Sequence, residues 1–159
     1  MAAAPGAGVT RVVTPRQFDP DVVQSRLRHM RKLLDDLESF GPVDFEALET
    51  DSKLRYAVER ILTQLVEVAV GINAHIGATL IGSVQPGYTD SFNLPVEAGA
   101  LTKEAAERVR PSAGARNVLV HEYLTVDYAK VAIAASRAPE DYGRYIQEIA
   151  DFLLRREGG

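Results

Sequence analysis

The stretch DSKLRYAVERILTQLVEVAVGINAHIGATLIG, residues 51–82, decides the fold. From Leu54 to Leu80 its apolar residues recur at spacings of three and four, which places them on one broad face of a helix. The side chains of Asp51 and Ser52 can cap the free amides at its start. At about 1.5 Å per residue, such a helix is on the order of 45 Å long. The stretch therefore predicts the central helix of a helical bundle.

The flanking sequence predicts further helices of the same kind. An amphipathic pattern opens at Asp19-Pro20 and stops at Gly41-Pro42. A third helix is predicted from Thr102 onward, interrupted by Pro111-Ser112-Ala113-Gly114 because proline lacks the amide that an inner helical turn needs. Helical spacing returns within residues 127–136, and Pro139 fits the first turn of a separate last helix. We expect an all-α fold, a bundle of four to five helices.

Length and composition predict one domain. The chain has 159 residues, of which 46% are hydrophobic and 25% charged, as is usual for a soluble globular protein. Residues 1–17 are predicted to be a flexible tail, and residues 18–156 the helical domain. The chain has no cysteine, which excludes disulfides and thiolate chemistry. No signal peptide is recognisable, and charge or glycine breaks each apolar run before membrane-spanning length, so we expect a cytoplasmic protein.

The formal net charge of −4 argues against a protein that coats RNA or DNA by bulk electrostatics. It leaves room for an enzyme with one local patch of arginines. The compact basic cluster, defined as Arg26, Arg28, His29, Arg31 and Lys32, is either a solvated helix face or a patch that guides phosphates.

The sequence lacks the motifs of several common enzyme classes. It contains no glycine-rich phosphate loop and no Gly-x-Ser-x-Gly elbow. His29, His75 and His121 lie on separate predicted elements without a metal-ligand spacing, and no Glu-x-x-His pair is present. We therefore predict no metal site and no cofactor, and a structural role for His75 beside the apolar face of its helix.

One segment carries residues suited to chemistry: Arg-Asn-Val-Leu-Val-His-Glu-Tyr, residues 116–123. The guanidinium of Arg116 matches a phosphate and keeps its charge, and His121 can take or give a proton near neutral pH. Together they suffice for metal-independent RNA cleavage. On a regular helix, however, Arg116 and His121 diverge by roughly 140°. Either the helix is distorted there, or the two side chains meet across a symmetric dimer interface.

Arg-x4-His-x-Tyr, as Arg116, His121 and Tyr123, resembles the signature of the HepT toxins. These are helical ribonucleases of the HEPN superfamily, in which a polar residue follows the arginine, as Asn117 does here. The resemblance extends over about residues 20–155. Further segments that are similar to the family are Tyr56–Arg60, Asp90–Phe92 and Gly99–Leu101.

The resemblance implies a toxin of a type VII toxin–antitoxin system that cleaves RNA and is paired with a nucleotidyltransferase antitoxin of the MNT type. It implies that Arg116 and His121 are catalytic, that Asn117 supports them, and that the antitoxin transfers AMP to Tyr123. The family also predicts a homodimer with the active-site cleft at its interface. Two alternatives are a non-catalytic HEPN module that binds a nucleotide or docks a nucleotidyltransferase, and a purely structural bundle.

Overall fold

The computed structural model describes Gly6 and residues 16–84, 87–121 and 126–159. Of the predicted N-terminal tail, residues 1–17, only Gly6 and residues 16 and 17 are among the described residues. The helices, in chain order, are α1 (Pro20–Ser39), α2 (Phe45–Thr50), α3 (Ser52–Ile76), α4 (Tyr88–Ser91), α5 (Asn93–Glu97), α6 (Lys103–His121) and α7 (Tyr128–Glu157).

The long helices α1, α3, α6 and α7 form the bundle, and α3 packs against the other three. Buried side chains from all four make one continuous hydrophobic core. Among the largest fully buried ones are Met30 of α1, Leu65 and Ile72 of α3, and Tyr145 and Ile149 of α7. The prediction of an all-α helical bundle is confirmed, with four long helices and three short ones in the part of the chain that the structure describes.

The central helix begins and ends where its sequence indicates. The Asp51 side chain accepts a hydrogen bond from the Leu54 amide at 3.1 Å and caps the helix. Residues Gly77–Ile81 continue it as a π-helical turn, and Gly82 closes that turn in the left-handed region at φ +62°. By length and composition the segment Ser52–Ile81 could cross a membrane, contrary to our expectation from its interruptions. Half of its most apolar window is buried within the bundle, where the helix packs against α1, α6 and α7.

His75 and Arg26 join α1 to α3. Nε2 of His75 accepts a hydrogen bond from the Asp19 amide at 3.0 Å, and its ring lies 5.5 Å from that of Phe18. Nη1 of Arg26 donates to the carbonyl of Gly71 at 2.8 Å. Both side chains therefore have structural contacts, and Arg26 is set apart from the exposed remainder of the basic cluster.

Two predicted helix boundaries are wrong. α6 runs without interruption through Pro111, and α7 runs through Pro139, which we expected to begin a separate helix. Each proline removes one backbone hydrogen bond within a helix. Packing on both sides compensates, since Val109 and Ala113 of α6 and Ala138 and Tyr142 of α7 are buried. The hydroxyls of Ser112 and Tyr142 also hydrogen-bond to each other across the two helices.

Candidate functional site

The last turns of α6 carry three of the four predicted site residues. Because α6 is continuous to His121, residues 116–121 of the reactive segment are helical. Arg116 is partly buried, whereas Asn117 and His121 are exposed. Tyr123, the predicted target of modification, lies outside the described residues.

Arg116 is held by contacts from two other helices. Its Nη2 donates to Oε1 of Glu67, on α3, at 3.2 Å. Its Cζ lies 4.4 Å from the ring centroid of Tyr88, at the start of α4, within the range of a cation–π contact. Its side chain is only 16% exposed. The guanidinium is thus fixed at one edge by a carboxylate and on one face by an aromatic ring.

Asn117 lies beside this guanidinium. Its Oδ1 accepts a hydrogen bond from Nη1 of Arg116 at 3.3 Å. The contact agrees with the supporting role predicted for Asn117, although the residue is exposed and the bond is long.

His121 is the last residue of α6. No hydrogen bond between described residues joins it to Arg116, five residues earlier on the same helix. Since α6 is helical throughout, the two side chains leave it in different directions. Of our two expectations, a distorted helix is therefore not observed within α6.

Arg116 lines a groove between α6 and the first half of α7, with a volume of about 370 Å³. Its apolar lining includes Val118 and Ile133, which are 38% and 52% exposed. Asp127, which caps α7, and Lys130, in its first turn, also line the groove. The groove is thus a largely apolar surface, partly open to solvent, with a partly buried arginine at its edge.

Sequence reasoning missed Glu67 and Tyr88. A signal for Glu67 was present, because it is the only carboxylate between Arg60 and Gly82 in the most apolar helix. A carboxylate placed there needs a partner. Tyr88 gave no comparable signal, because it follows a turn that sequence pattern alone does not orient.

No group of three or more His, Asp or Glu side chains that could hold a metal ion occurs within residues 16–84, 87–121 and 126–159. The exposed residues of the basic cluster all lie on α1; they are Arg28, His29, Arg31 and Lys32. Lys32 of this cluster forms an ion pair with Asp36 at 3.6 Å.

The chain is similar in sequence to known ribonucleases. The model of a family described as Ribonuclease HepT-like matches residues 30–149. A tRNA nuclease HepT from Aphanizomenon flos-aquae is 32% identical over 143 residues, which cover 88% of this chain and 95% of that relative.

Two solved structures share the fold. The tri-AMPylated Shewanella oneidensis HEPN toxin in complex with MNT antitoxin aligns with a TM-score of 0.74 at 20% identity, over 82% of this chain and 98% of that one. The cytosolic protein YutE from Bacillus subtilis aligns with a TM-score of 0.76 at 16% identity, over 91% of this chain and 97% of that one. At such identities the likeness concerns the fold.

Proposed function

The chain belongs to the HepT-like ribonuclease family, and we propose that it is a toxin that cleaves RNA without a metal ion, with Arg116 and His121 as its catalytic residues. The observation that carries the proposal is the arrangement at the end of α6. A partly buried, oriented arginine and an exposed histidine occupy the family's motif on one helix.

The reaction needs one proton acceptor and one stabiliser of negative charge. His121 takes the proton of a ribose 2′-hydroxyl, whose oxygen attacks the adjacent phosphorus. The bond from phosphorus to the 5′ oxygen breaks, and that oxygen takes a proton from water as it leaves. The products are therefore a 2′,3′-cyclic phosphate and a 5′-hydroxyl. Arg116 stabilises the extra charge on the phosphate in the transition state, and Asn117 supports its orientation.

We further propose a homodimer in which the groove between α6 and α7 faces a second copy. Two observations support it. Arg116 and His121 leave α6 in different directions, so a second protomer can supply the complementary group. Half-exposed apolar side chains, Val118 and Ile133, lie on the groove that Arg116 lines.

Neutralisation is proposed to follow from transfer of AMP to Tyr123 by an MNT-type antitoxin. The support is the position of Tyr123 in the family motif and the AMPylated toxin among the solved structures of this fold. An added phosphate beside Arg116 and His121 would occupy the place of the substrate phosphate and repel it.

The substrate class to test first is transfer RNA, because the Aphanizomenon relative is a tRNA nuclease. We place the protein in the cytoplasm, where this substrate is found. The alternative, a non-catalytic module that docks a nucleotidyltransferase, requires neither Arg116 nor His121 to react.

Cleavage of tRNA in EDTA by the purified, unmodified protein tests the proposal. We expect cleavage by the parent and a cleavage rate lower by about 10²-fold or more in Arg116→Ala and His121→Ala. The control His29→Ala, which removes an exposed histidine from α1, should cleave tRNA at the parent rate. An inactive parent that is folded, dimeric and unmodified at Tyr123 would favour the docking module.

The role of Tyr123 is tested with the antitoxin, ATP and mass spectrometry. Tyr123→Phe should cleave RNA but escape neutralisation, whereas Tyr128→Phe, which changes a tyrosine packed on Phe45 and Arg55, should be modified like the parent. Full neutralisation of Tyr123→Phe would exclude Tyr123 as the target.

A further inference from the structure

We propose that Glu67 and Tyr88 are positioning residues that hold the Arg116 guanidinium in one orientation for the substrate phosphate. This inference rests on the nuclease function proposed above. It assigns to α3 and α4 a part in a site whose predicted residues all come from the segment 116–123.

Glu67, on α3, fixes the position of one edge of the Arg116 guanidinium. Its Oε1 accepts from Nη2 of Arg116 at 3.2 Å, and the two side chains are 40% and 16% exposed. Because the Arg116 side chain is mostly buried, this pair is screened less than a pair between two exposed side chains. An arginine has several rotatable bonds, so without such an anchor it would occupy many positions.

Tyr88 fixes the plane of the guanidinium. The Arg116 Cζ lies 4.4 Å from the Tyr88 ring centroid, so the ring covers one face of the cation. An ion pair at one edge still allows the planar group to swing about that edge. The ring removes this freedom, and the two contacts together define a single orientation.

The contacts leave Arg116 with a defined set of donors. Of its five N–H donors, one is used by Glu67 and one by Asn117. The Nε atom is buried and has no hydrogen-bond partner among the described residues. One further N–H group on Nη1 and one on Nη2 make no hydrogen bond to a described residue, and in this proposal they bind a phosphate oxygen. Because catalysis depends on the placement of such donors, loss of orientation should lower the cleavage rate.

A positioning role of Glu67 and a purely electrostatic role predict opposite effects on the cleavage rate. A carboxylate next to a phosphate site repels RNA. If Glu67 acted only through its charge, its removal would tighten RNA binding and speed cleavage. A positioning role predicts the opposite effect on the rate.

The test measures kcat and KM for RNA cleavage in Glu67→Ala, Glu67→Gln, Tyr88→Leu and Tyr88→Phe. We expect kcat to fall about 10- to 100-fold in Glu67→Ala and Tyr88→Leu, with KM changed less than about threefold. Tyr88→Phe keeps the ring and should stay within about threefold of the parent. Glu67→Gln, which keeps a hydrogen-bond acceptor, should be intermediate.

Matched controls remove similar groups elsewhere. Glu104→Gln breaks the exposed ion pair with Arg144, and Tyr56→Leu removes a ring that lies 5.1 Å from the Arg55 guanidinium carbon. Both should cleave RNA at the parent rate. A fall in kcat equal to that of Glu67→Ala in these controls would mean a general structural effect and would overturn the proposal.

A second readout does not depend on cleavage. The Nε–H signal of Arg116 in a 15N NMR spectrum, identified by its absence in Arg116→Lys, should be shifted by the Tyr88 ring and protected from exchange. In Glu67→Ala and Tyr88→Leu it should move to the positions of exposed arginines. An unchanged signal, or a changed signal with unchanged kcat, would overturn the proposal. If the parent protein does not cleave RNA, the nuclease function fails, and the NMR comparison still decides whether these residues order Arg116.

Discussion

His75 accepts its hydrogen bond from the Asp19 amide through Nε2, which must be unprotonated to do so. Burial lowers the pKa of His75, and the nearby Arg26 lowers it further, while Asp19 opposes them. His75 is therefore protonated less readily in the folded protein than in the unfolded chain, in which the pKa of a histidine is about 6.5. The stability that the neutral ring contributes is complete above about pH 6.5 and is lost as the pH falls through the folded pKa.

We therefore predict that the Tm falls as the pH is lowered from about 7 to 5 and that it falls less in His75→Gln. The carboxyl groups of Glu104 and Glu148 have lowered pKa values, so their contribution is lost only below about pH 4.5. Burial raises the pKa of Glu59, but Glu59 is the same in the parent and in His75→Gln, so its effect cancels in the comparison. His29→Gln, at an exposed site, should keep the slope of the parent. Thermal melts across the pH series check this, and equal slopes in the parent and His75→Gln would contradict it.

The sequence was informative for the residues of the proposed active site and not for the two residues that contact Arg116 from other helices. Arg116, Asn117 and His121 could be named because they follow one another in a recognisable segment of the chain. Glu67 and Tyr88 come from distant segments and reach Arg116 only once α3, α4 and α6 have packed. Spacing along a chain does not encode such a contact, and only the isolated charge of Glu67 hints at it.

At the scale of the helices, periodicity located each long helix, but the two proline boundaries were wrong. A proline costs about 3 kcal/mol in an exposed helix interior, which makes a break the natural expectation. That expectation leaves out the apolar residues on either side of each proline, whose burial stabilises α6 and α7 as continuous helices. Local propensity is outweighed here by tertiary packing.

The π-helical turn at the end of α3 depends on the absence of a side chain at Gly77. A Cβ there would lie 2.7 Å from Cδ1 of Leu94 and 2.9 Å from the backbone oxygen of Ser83. Gly77→Ala should therefore destabilise the protein by about 1–3 kcal/mol. Gly143→Ala, in α7, has no atom within 4 Å of the added Cβ and should stabilise it by up to about 1 kcal/mol.

Thermal melts of these two variants check the prediction, at about 2–4 °C per kcal/mol for a chain of this size. The same chemical change should thus shift the Tm in opposite directions at the two positions. Equal Tm shifts would mean that the close approach of α5 to the π-helical turn does not limit packing.

At the scale of the whole molecule, the proposed dimer would complete the site. Within one chain the Arg116 guanidinium faces Glu67 and Tyr88, while His121 is exposed at the end of α6. Residues on the groove, among them Ile133, are more exposed than a core residue would be. A second copy seated there would cover this apolar surface and bring its own motif close to the first.

Ile133→Glu should therefore give a monomer and reduce RNA cleavage, because a buried carboxylate without a partner is costly at an interface. Leu154→Glu is the matched control: it places the same charge at another exposed apolar position of α7, 65% exposed in the single chain and outside the groove. It should leave the dimer and the cleavage rate unchanged. Sedimentation measures the state of association, and cleavage of tRNA is measured on the same samples. A dimer that survives Ile133→Glu and dissociates in Leu154→Glu would move the interface to the other end of α7. The two motifs would then work separately, and Arg116 and His121 would have to act within one chain.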